Sequence, residues 1–103
     1  MAKQLPQVAH SKMYNASQVV YIGPCILVSV LISGDGAAGD CDVYDGTNSN
    51  EERKCHLEVP SGESFQWSPG QGTDLDKGIY LAVNAATTFV TITWIPESWK
   101  EFI

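Results

Sequence analysis

Apolar and polar residues alternate over short stretches of the chain, and turn-forming residues separate those stretches. Alternation with a period of two is typical of β-strands that bury one face. No stretch of a dozen residues has the apolar spacing of three and four that an amphipathic helix requires. The pattern therefore predicts an all-β fold, an antiparallel β-sandwich of seven or eight strands, for which a jelly roll is one arrangement. The best strand-like segments are 16–22, 25–33, 39–44, 53–59, 63–67, 79–83 and 88–94.

The 103 residues provide enough length for one domain. Residues 1–15 are mixed in character, and we predict either an N-terminal arm or an edge strand there. The sandwich is predicted to span residues 16–95, and residues 96–103 to form a C-terminal tail after the strand-breaking Pro96.

Two hairpins are predicted. A turn about Asn48 joins segments 39–44 and 53–59, which would place Cys41 opposite Cys55. In the same register Val43 would lie opposite Arg53. The second and clearer hairpin joins segments 79–83 and 88–94 through a four-residue loop, and the chain between Pro69 and Gly78 is predicted to be irregular.

The segment from Cys25 to Ser33 is the most strongly apolar of the predicted strands. Regular alternation would place Ile26, Val28, Val30 and Ile32 on one face and Cys25, Leu27, Ser29 and Leu31 on the other. A sandwich strand with one solvent-exposed face should alternate more cleanly, so this strand is either covered on both sides or lies at a subunit interface. In so small a domain the pattern favours the subunit interface. The predicted contact residues are Leu27, Leu31, Trp99 and Phe102.

The chain is acidic, with twelve Asp and Glu against six Lys and Arg. The formal net charge of −6 disfavours nucleic acid and anionic membranes as partners, because both need clustered basic residues. Residues 1–12 contain no apolar segment of the length found in secretory signals, and the apolar run 19–32 is interrupted by Gly23 and Pro24. We therefore expect a protein made in a reducing cytoplasm.

No catalytic motif is present. The chain has no Gly-x-Ser-x-Gly elbow and no glycine loop in a phosphate-binding context, so we expect neither enzyme activity nor a cofactor. The three cysteines are an odd number without metal-binding spacing. Buried thiols are therefore favoured over a bridge between Cys41 and Cys55.

Four aspartates, Asp35, Asp40, Asp42 and Asp45, lie within eleven residues and are weak candidates for calcium ligands. They do not match a calcium-binding EF-hand loop, because counting from Asp40 the required glycine is displaced by one position. Aspartates in turns are the favoured interpretation, and a calcium-dependent binding module stays as an alternative.

Aromatic residues supply a second alternative, a carbohydrate-binding module that stacks sugars on exposed rings. Trp67 and Trp94 lie in alternating strands and are better interpreted as core residues. The candidate rings are Tyr14, Tyr21, Trp67, Tyr80, Trp94 and Trp99.

Several segments in this order resemble small uncharacterised proteins encoded among the structural genes of phages. The segments are Tyr21–Pro24, Ile26–Val30, Asp42–Thr47, Lys77–Val83 and Thr88–Ile92. The resemblance implies a virion accessory such as a capsid decoration or head-fibre module, made in the host cytoplasm. It supplies no catalytic or binding residues. Together with the apolar strand it leads us to expect a non-enzymatic structural protein that forms a homo-oligomer, a trimer being the expected size, and that contacts other virion proteins.

Overall fold

The computed structural model describes residues 9–70, 72–86 and 88–96, which form nine β-strands. Two antiparallel sheets pack against each other, so the prediction of an all-β sandwich is confirmed, whereas the predicted number of seven or eight strands is wrong because the described residues form nine. The described residues form no helix, and thus none long and apolar enough to cross a membrane. The strands are β1 (His10–Tyr14), β2 (Gln18–Ile22), β3 (Cys25–Gly34), β4 (Gly39–Asp45), β5 (Glu52–Val59), β6 (Ser64–Trp67), β7 (Thr73–Leu75), β8 (Gly78–Val83) and β9 (Thr88–Pro96).

The first sheet has the order β1-β9-β3-β6, and the short β7 also pairs with β3. The second sheet has the order β2-β8-β4-β5. Strand β1 is therefore an edge strand. The segment before Gly78 was predicted to be irregular, but it contains the short strand β7.

Strand pairing is nested about the loop at residues 46–51. β4 pairs with β5, β3 with β6 and β7, β2 with β8, and β1 with β9. The chain thus runs as one long antiparallel ribbon, and its first four strands alternate between the two sheets. Most contacts consequently join residues far apart in sequence, which is typical of slowly folding all-β topologies.

The predicted hairpin of segments 79–83 and 88–94 is wrong. β8 pairs with β2 and β4 in the second sheet, whereas β9 pairs with β1 and β3 in the first. Both are central strands, and the connection between them crosses from one sheet to the other. Thr88 is buried at this crossing, where its Oγ1 accepts a hydrogen bond from the Asp40 amide at 3.1 Å.

The β4–β5 hairpin is confirmed, but its register differs from the prediction by two residues. Cys41 pairs with Leu57 and Val43 with Cys55, because the connecting turn is centred later than Asn48. From Gly39 to Val43 this shift of two leaves each side chain on its predicted face, and after a bulge Tyr44 pairs with Arg53. The predicted opposition of Cys41 and Cys55 is therefore wrong, although both face the core.

A β-bulge at Val28 changes the faces of β3. The register with β9 shifts between Leu27 and Ser29, so one additional residue lies on β3 there. The bulge turns Leu27 and Val30 to the same side, and both are fully buried between the sheets. The two-sided apolar strand predicted from regular alternation is therefore wrong.

The core consists of inward-facing residues from both sheets. Its largest fully buried side chains include Leu27, Ile32, Leu75, Ile79, Leu81 and Ile92. Trp94 is also buried, and Trp67 packs against this core, which confirms the interpretation of both tryptophans as core residues.

Cys41 and Cys55 are buried thiols without a disulfide. They are diagonal neighbours in the β4–β5 pair, and Cα atoms in that relation lie about 7–8 Å apart, beyond the usual disulfide range. Burial raises the pKa of Cys41 to about 12 and that of Cys55 to about 11.

We expect Cys41 and Cys55 to resist alkylation in the folded protein, because burial hinders access and the thiolate form is scarce at neutral pH. Iodoacetamide at pH 8, followed by peptide mass spectrometry, should leave both unmodified until denaturant is added. Rapid labelling of the native chain, or a Cys41–Cys55 linked peptide in a non-reduced digest, would contradict this assignment.

Candidate functional site

The two outer surfaces of the sandwich differ in chemistry. The second sheet carries a group of polar side chains that we call the Asp–His cluster, whereas the outer surface of the first sheet has one ionisable group among its described residues, Asp74 at one end. The Asp–His cluster consists of Asp40, Asp42, Arg53, His56, Glu58 and Asn84.

The Asp–His cluster follows from the strand period and the β4–β5 register. Asp40 and Asp42 are two residues apart on β4, so both point away from the core between inward-facing neighbours. His56 lies directly opposite Asp42 on β5, and Glu58 lies directly opposite Asp40. Asn84 follows β8 on the other side of β4.

His56 is held between two carboxylates. Its Nδ1 lies 2.6 Å from Asp42 Oδ1 and 3.8 Å from Asp40 Oδ1, whereas its Nε2 lies 2.8 Å from Glu58 Oε2. The hydrogen bonds to Glu58 and Asp42 raise the pKa of His56 above its usual value. One ligand atom from each of Asp40, Asp42 and His56 lies within 4.8 Å of the other two.

Asp42 is the most enclosed member of the cluster, with 8% of its surface exposed. The Asn84 side-chain amide donates to Asp42 Oδ2 at 3.0 Å and to Asp40 Oδ1 at 3.1 Å, which fixes the two carboxylates relative to each other. Arg53 donates to Asp42 Oδ1 at 3.3 Å from a side chain that is 56% exposed. An exposed ion pair of this kind contributes little to stability.

The four aspartates predicted as weak calcium ligands do not form one site. Asp40 and Asp42 are adjacent in the Asp–His cluster, whereas Asp35 lies in the turn after β3. Asp45 ends β4, about 17 Å from Asp40 along an extended strand. Its carboxylate accepts backbone N–H groups of Asp76, Lys77 and Gly78 at 3.1, 2.8 and 3.4 Å.

Among the described residues, the outer face of the first sheet carries one ionisable side chain, Asp74 of β7, which lies at one end opposite Ile26. We call the remainder of this face the uncharged face. Cross-strand partners share a face, so the strand registers define its members. Leu31 lies near its centre, paired with Thr91 on one side and with Gln66 on the other. The uncharged face consists of Ser11, Met13, Ile26, Ser29, Leu31, Ser33, Ser64, Gln66, Phe89, Thr91, Thr93 and Ile95.

Hydroxyl groups on the uncharged face bond to one another across the strands. Ser33 Oγ lies 3.0 Å from Ser64 Oγ, and Thr93 Oγ1 donates to Ser11 Oγ at 3.1 Å. These hydroxyls can therefore lose contact with water and still keep a hydrogen-bond partner.

The four predicted contact residues have different positions. Leu27 belongs to the core. The prediction that it contacts another subunit is wrong, because the bulge at Val28 places Leu27 and Val30 on the same inward side. Leu31 is on the uncharged face and is 36% exposed. Trp99 and Phe102 lie outside the described residues.

Most of the described rings that were considered for sugar stacking lie in the core or pack against it. Tyr14 is buried, and Tyr21 packs against the core beside Trp94. Tyr80 is different, because it lies on the outer face of the second sheet with its ring centroid 6.2 Å from that of Tyr44. The two rings are inclined by 54° and thus do not form a flat platform.

Sequence reasoning missed His56, Glu58 and Asn84. The sequence signal for the first two was the alternation of β5, which places His56 and Glu58 opposite the outward aspartates of β4. Asn84 had no such signal, because the pairing of β8 with β4 joins segments about forty residues apart.

No protein-family model, curated protein or solved structure matches the chain.

Proposed function

We propose that this protein is a non-enzymatic structural module that assembles with further copies of itself through the uncharged face. The observation that carries the proposal is that face itself, because twelve neighbouring outward positions on four strands lack a charge in a chain of net charge −6, and the one outward carboxylate of this sheet among the described residues, Asp74, lies at its end. Outer faces of sandwiches that contact water normally carry polar and charged residues in alternation with the core positions.

The composition of the uncharged face favours a second copy of the chain as its occupant. Two copies that met through the Asp–His cluster would bring the carboxylates of Asp40, Asp42 and Glu58 together. A contact centred on Leu31 brings no like charges together, because Asp74 lies at the end of the face. A symmetric contact uses the same patch twice, which this neutral surface permits.

The dimensions of the uncharged face indicate the strength of the contact. Strands β1, β3, β6 and β9 contribute 5, 10, 4 and 9 residues, each about 3.3 Å long on strands about 4.8 Å apart. The resulting footprint of about 440 Å² per copy is about half of the roughly 800 Å² per partner of an ordinary specific interface, which is typical of weak association. We therefore expect association at micromolar rather than nanomolar concentration.

The nested winding of the strands supports the finer interpretation of the sandwich as a jelly roll, an arrangement that recurs in viral capsid proteins and in lectins. With the resemblance to small phage proteins, this leads us to propose a place in a virion, as a capsid decoration or similar accessory. Fold supports that role only by analogy, since sandwiches have many functions.

Replacing Leu31 by glutamate is expected to weaken self-association at least tenfold, because a carboxylate would be desolvated at the centre of the contact. Val19→Glu is the matched control. Val19 is 39% exposed, against 36% for Leu31, but lies on the outer face of the second sheet. Light scattering over a concentration series measures both variants beside the wild type.

Wild type and Val19→Glu should show the same concentration-dependent increase in mass, whereas Leu31→Glu should stay monomeric. A wild-type chain that remains monomeric at high micromolar concentration would contradict the proposal. Equal effects of the two substitutions would contradict the choice of face.

A further inference from the structure

The Asp–His cluster brings three metal-ligating side chains within reach of one ion. Asp40, Asp42 and His56 each offer one ligand atom, and these atoms lie within 4.8 Å of one another. The contact of His56 Nε2 with Glu58 directs Nδ1 towards both aspartates, 2.6 Å from Asp42 Oδ1 and 3.8 Å from Asp40 Oδ1.

We propose that Asp40, Asp42 and His56 form a binding site for a divalent first-row transition ion of the zinc class. The three residues offer one imidazole nitrogen and two carboxylate oxygens, and both kinds of donor bind zinc. With three protein ligands, a tetrahedral ion would keep one position open for water. Calcium is disfavoured, because it selects oxygen ligands alone and more of them.

Distances within the site are compatible with an ion. Ligands about 2.1 Å from a tetrahedral ion are about 3.4 Å apart. His56 Nδ1 lies 2.6 Å from Asp42 Oδ1 and 3.8 Å from Asp40 Oδ1, on either side of that value. A change of less than 1 Å in each of these two distances would bring it to that value.

Residues around the three ligands have the roles that outer groups have in metal sites. A metal-bound histidine usually donates its other ring N–H to a carboxylate, and Glu58 occupies that position. Asn84 donates to Asp42 Oδ2, the oxygen that does not contact His56, and to Asp40 Oδ1, so the two carboxylates are held in place before an ion arrives.

The charges around the site also favour a divalent cation. Asp40, Asp42 and Glu58 contribute three negative charges, and Arg53 is the one cation bonded to them among the described residues. Arg53 contacts Asp42 from solvent and can turn away when an ion binds. Because Asp42 is 8% exposed, water screens its charge poorly and a bound ion would be attracted strongly.

Zinc titration of the chelator-treated full chain at pH 7.5, by calorimetry and by competition with a chromogenic zinc indicator, tests the proposal. The expected result is one Zn²⁺ per chain with a higher melting temperature, since a ligand that binds only the native state stabilises it. Millimolar Ca²⁺ should not displace the zinc. Co²⁺ in place of Zn²⁺ gives an independent readout in its visible absorption.

His56→Gln should weaken zinc binding at least a hundredfold, and Glu58→Gln by about tenfold to a hundredfold. His10→Gln is the matched control, because His10 is the other histidine and stacks on Trp94 in the first sheet. Circular dichroism verifies that each variant is folded. Equal zinc affinity in wild type and His56→Gln, absence of binding at 100 μM zinc, or displacement by Ca²⁺ would each overturn the proposal.

Discussion

Replacing Asp45 by alanine is expected to lower the free energy of unfolding by about 3 kcal/mol. The Asp45 carboxylate is buried and accepts the backbone N–H groups of Asp76, Lys77 and Gly78. Hydrogen bonds to a charged group contribute about 1.5–3 kcal/mol each. The total stays below the sum because water can reach the exposed Asp76 and Lys77 once the carboxylate is gone.

Asp45 also predicts a dependence of stability on pH. Burial acts to raise the pKa of Asp45, but the backbone donors of Lys77, Asp76 and Gly78 together lower it below the usual value. A lowered pKa means that the stabilisation is present above the pKa of the unfolded chain and is lost as the pH falls through that of the folded state. Wild type should therefore lose more stability than Asp45→Ala on acidification below about pH 4.

Urea unfolding of Asp45→Ala, Asp35→Ala and wild type at pH 7 and pH 3 measures both effects. Asp35 is an exposed turn aspartate, and its replacement should change stability by less than about 0.5 kcal/mol. If Asp45→Ala were as stable as Asp35→Ala at pH 7, the Asp45 carboxylate would not be what organises the turn before β8.

Replacing Gly78 by alanine is expected to cost about 3 kcal/mol or more, from two independent causes. Its φ of +146° is a conformation that residues with a side chain rarely adopt. A Cβ atom there would also collide with the Tyr21 carbonyl oxygen and lie 3.2 Å from Ile22 Cα. Both belong to the backbone of β2, which cannot move without breaking its pairing with β8.

Gly62→Ala separates the two causes. Gly62 also has a positive φ, +77°, but a Cβ atom there would meet nothing within 4 Å. This control should lose only about 1–2 kcal/mol through backbone strain. Thermal unfolding of the two variants compares them, and a Gly78→Ala variant no less stable than Gly62→Ala would contradict the close approach of β2 and β8.

The positions of most strands and the pairing of β4 with β5 were predictable, whereas the other strand partners were not. Alternation and turn residues mark β4, β5 and β9 in the sequence, but the same pattern fits any partner of suitable length. The four-residue connection between β8 and β9 has the length of a hairpin loop, yet it crosses between the sheets. The bulge at Val28 had no sequence signal, and this single residue reverses the inference about the two faces of β3.

The candidate sites were predictable only in part, because the sequence shows which residues share a face but not which strands are neighbours. Asp40 and Asp42 were identified as residues of interest, and their alternation places them on one face. Their partner His56 depends on the register of β5, and Asn84 on a long-range pairing of β8. Leu31 was predicted as a contact residue for the wrong reason, because it shares its face with serine and threonine rather than with Leu27.

Coverage of the uncharged face by a second copy is tested most directly by NMR with a soluble paramagnetic agent, which attenuates exposed methyl signals. Leu31 and Val19 are 36% and 39% exposed in the single chain and lie on opposite sheets. At high protein concentration the Leu31 methyl groups should be protected and those of Val19 attenuated, and dilution should remove the difference. Equal attenuation of both residues at every concentration would contradict assembly through this face.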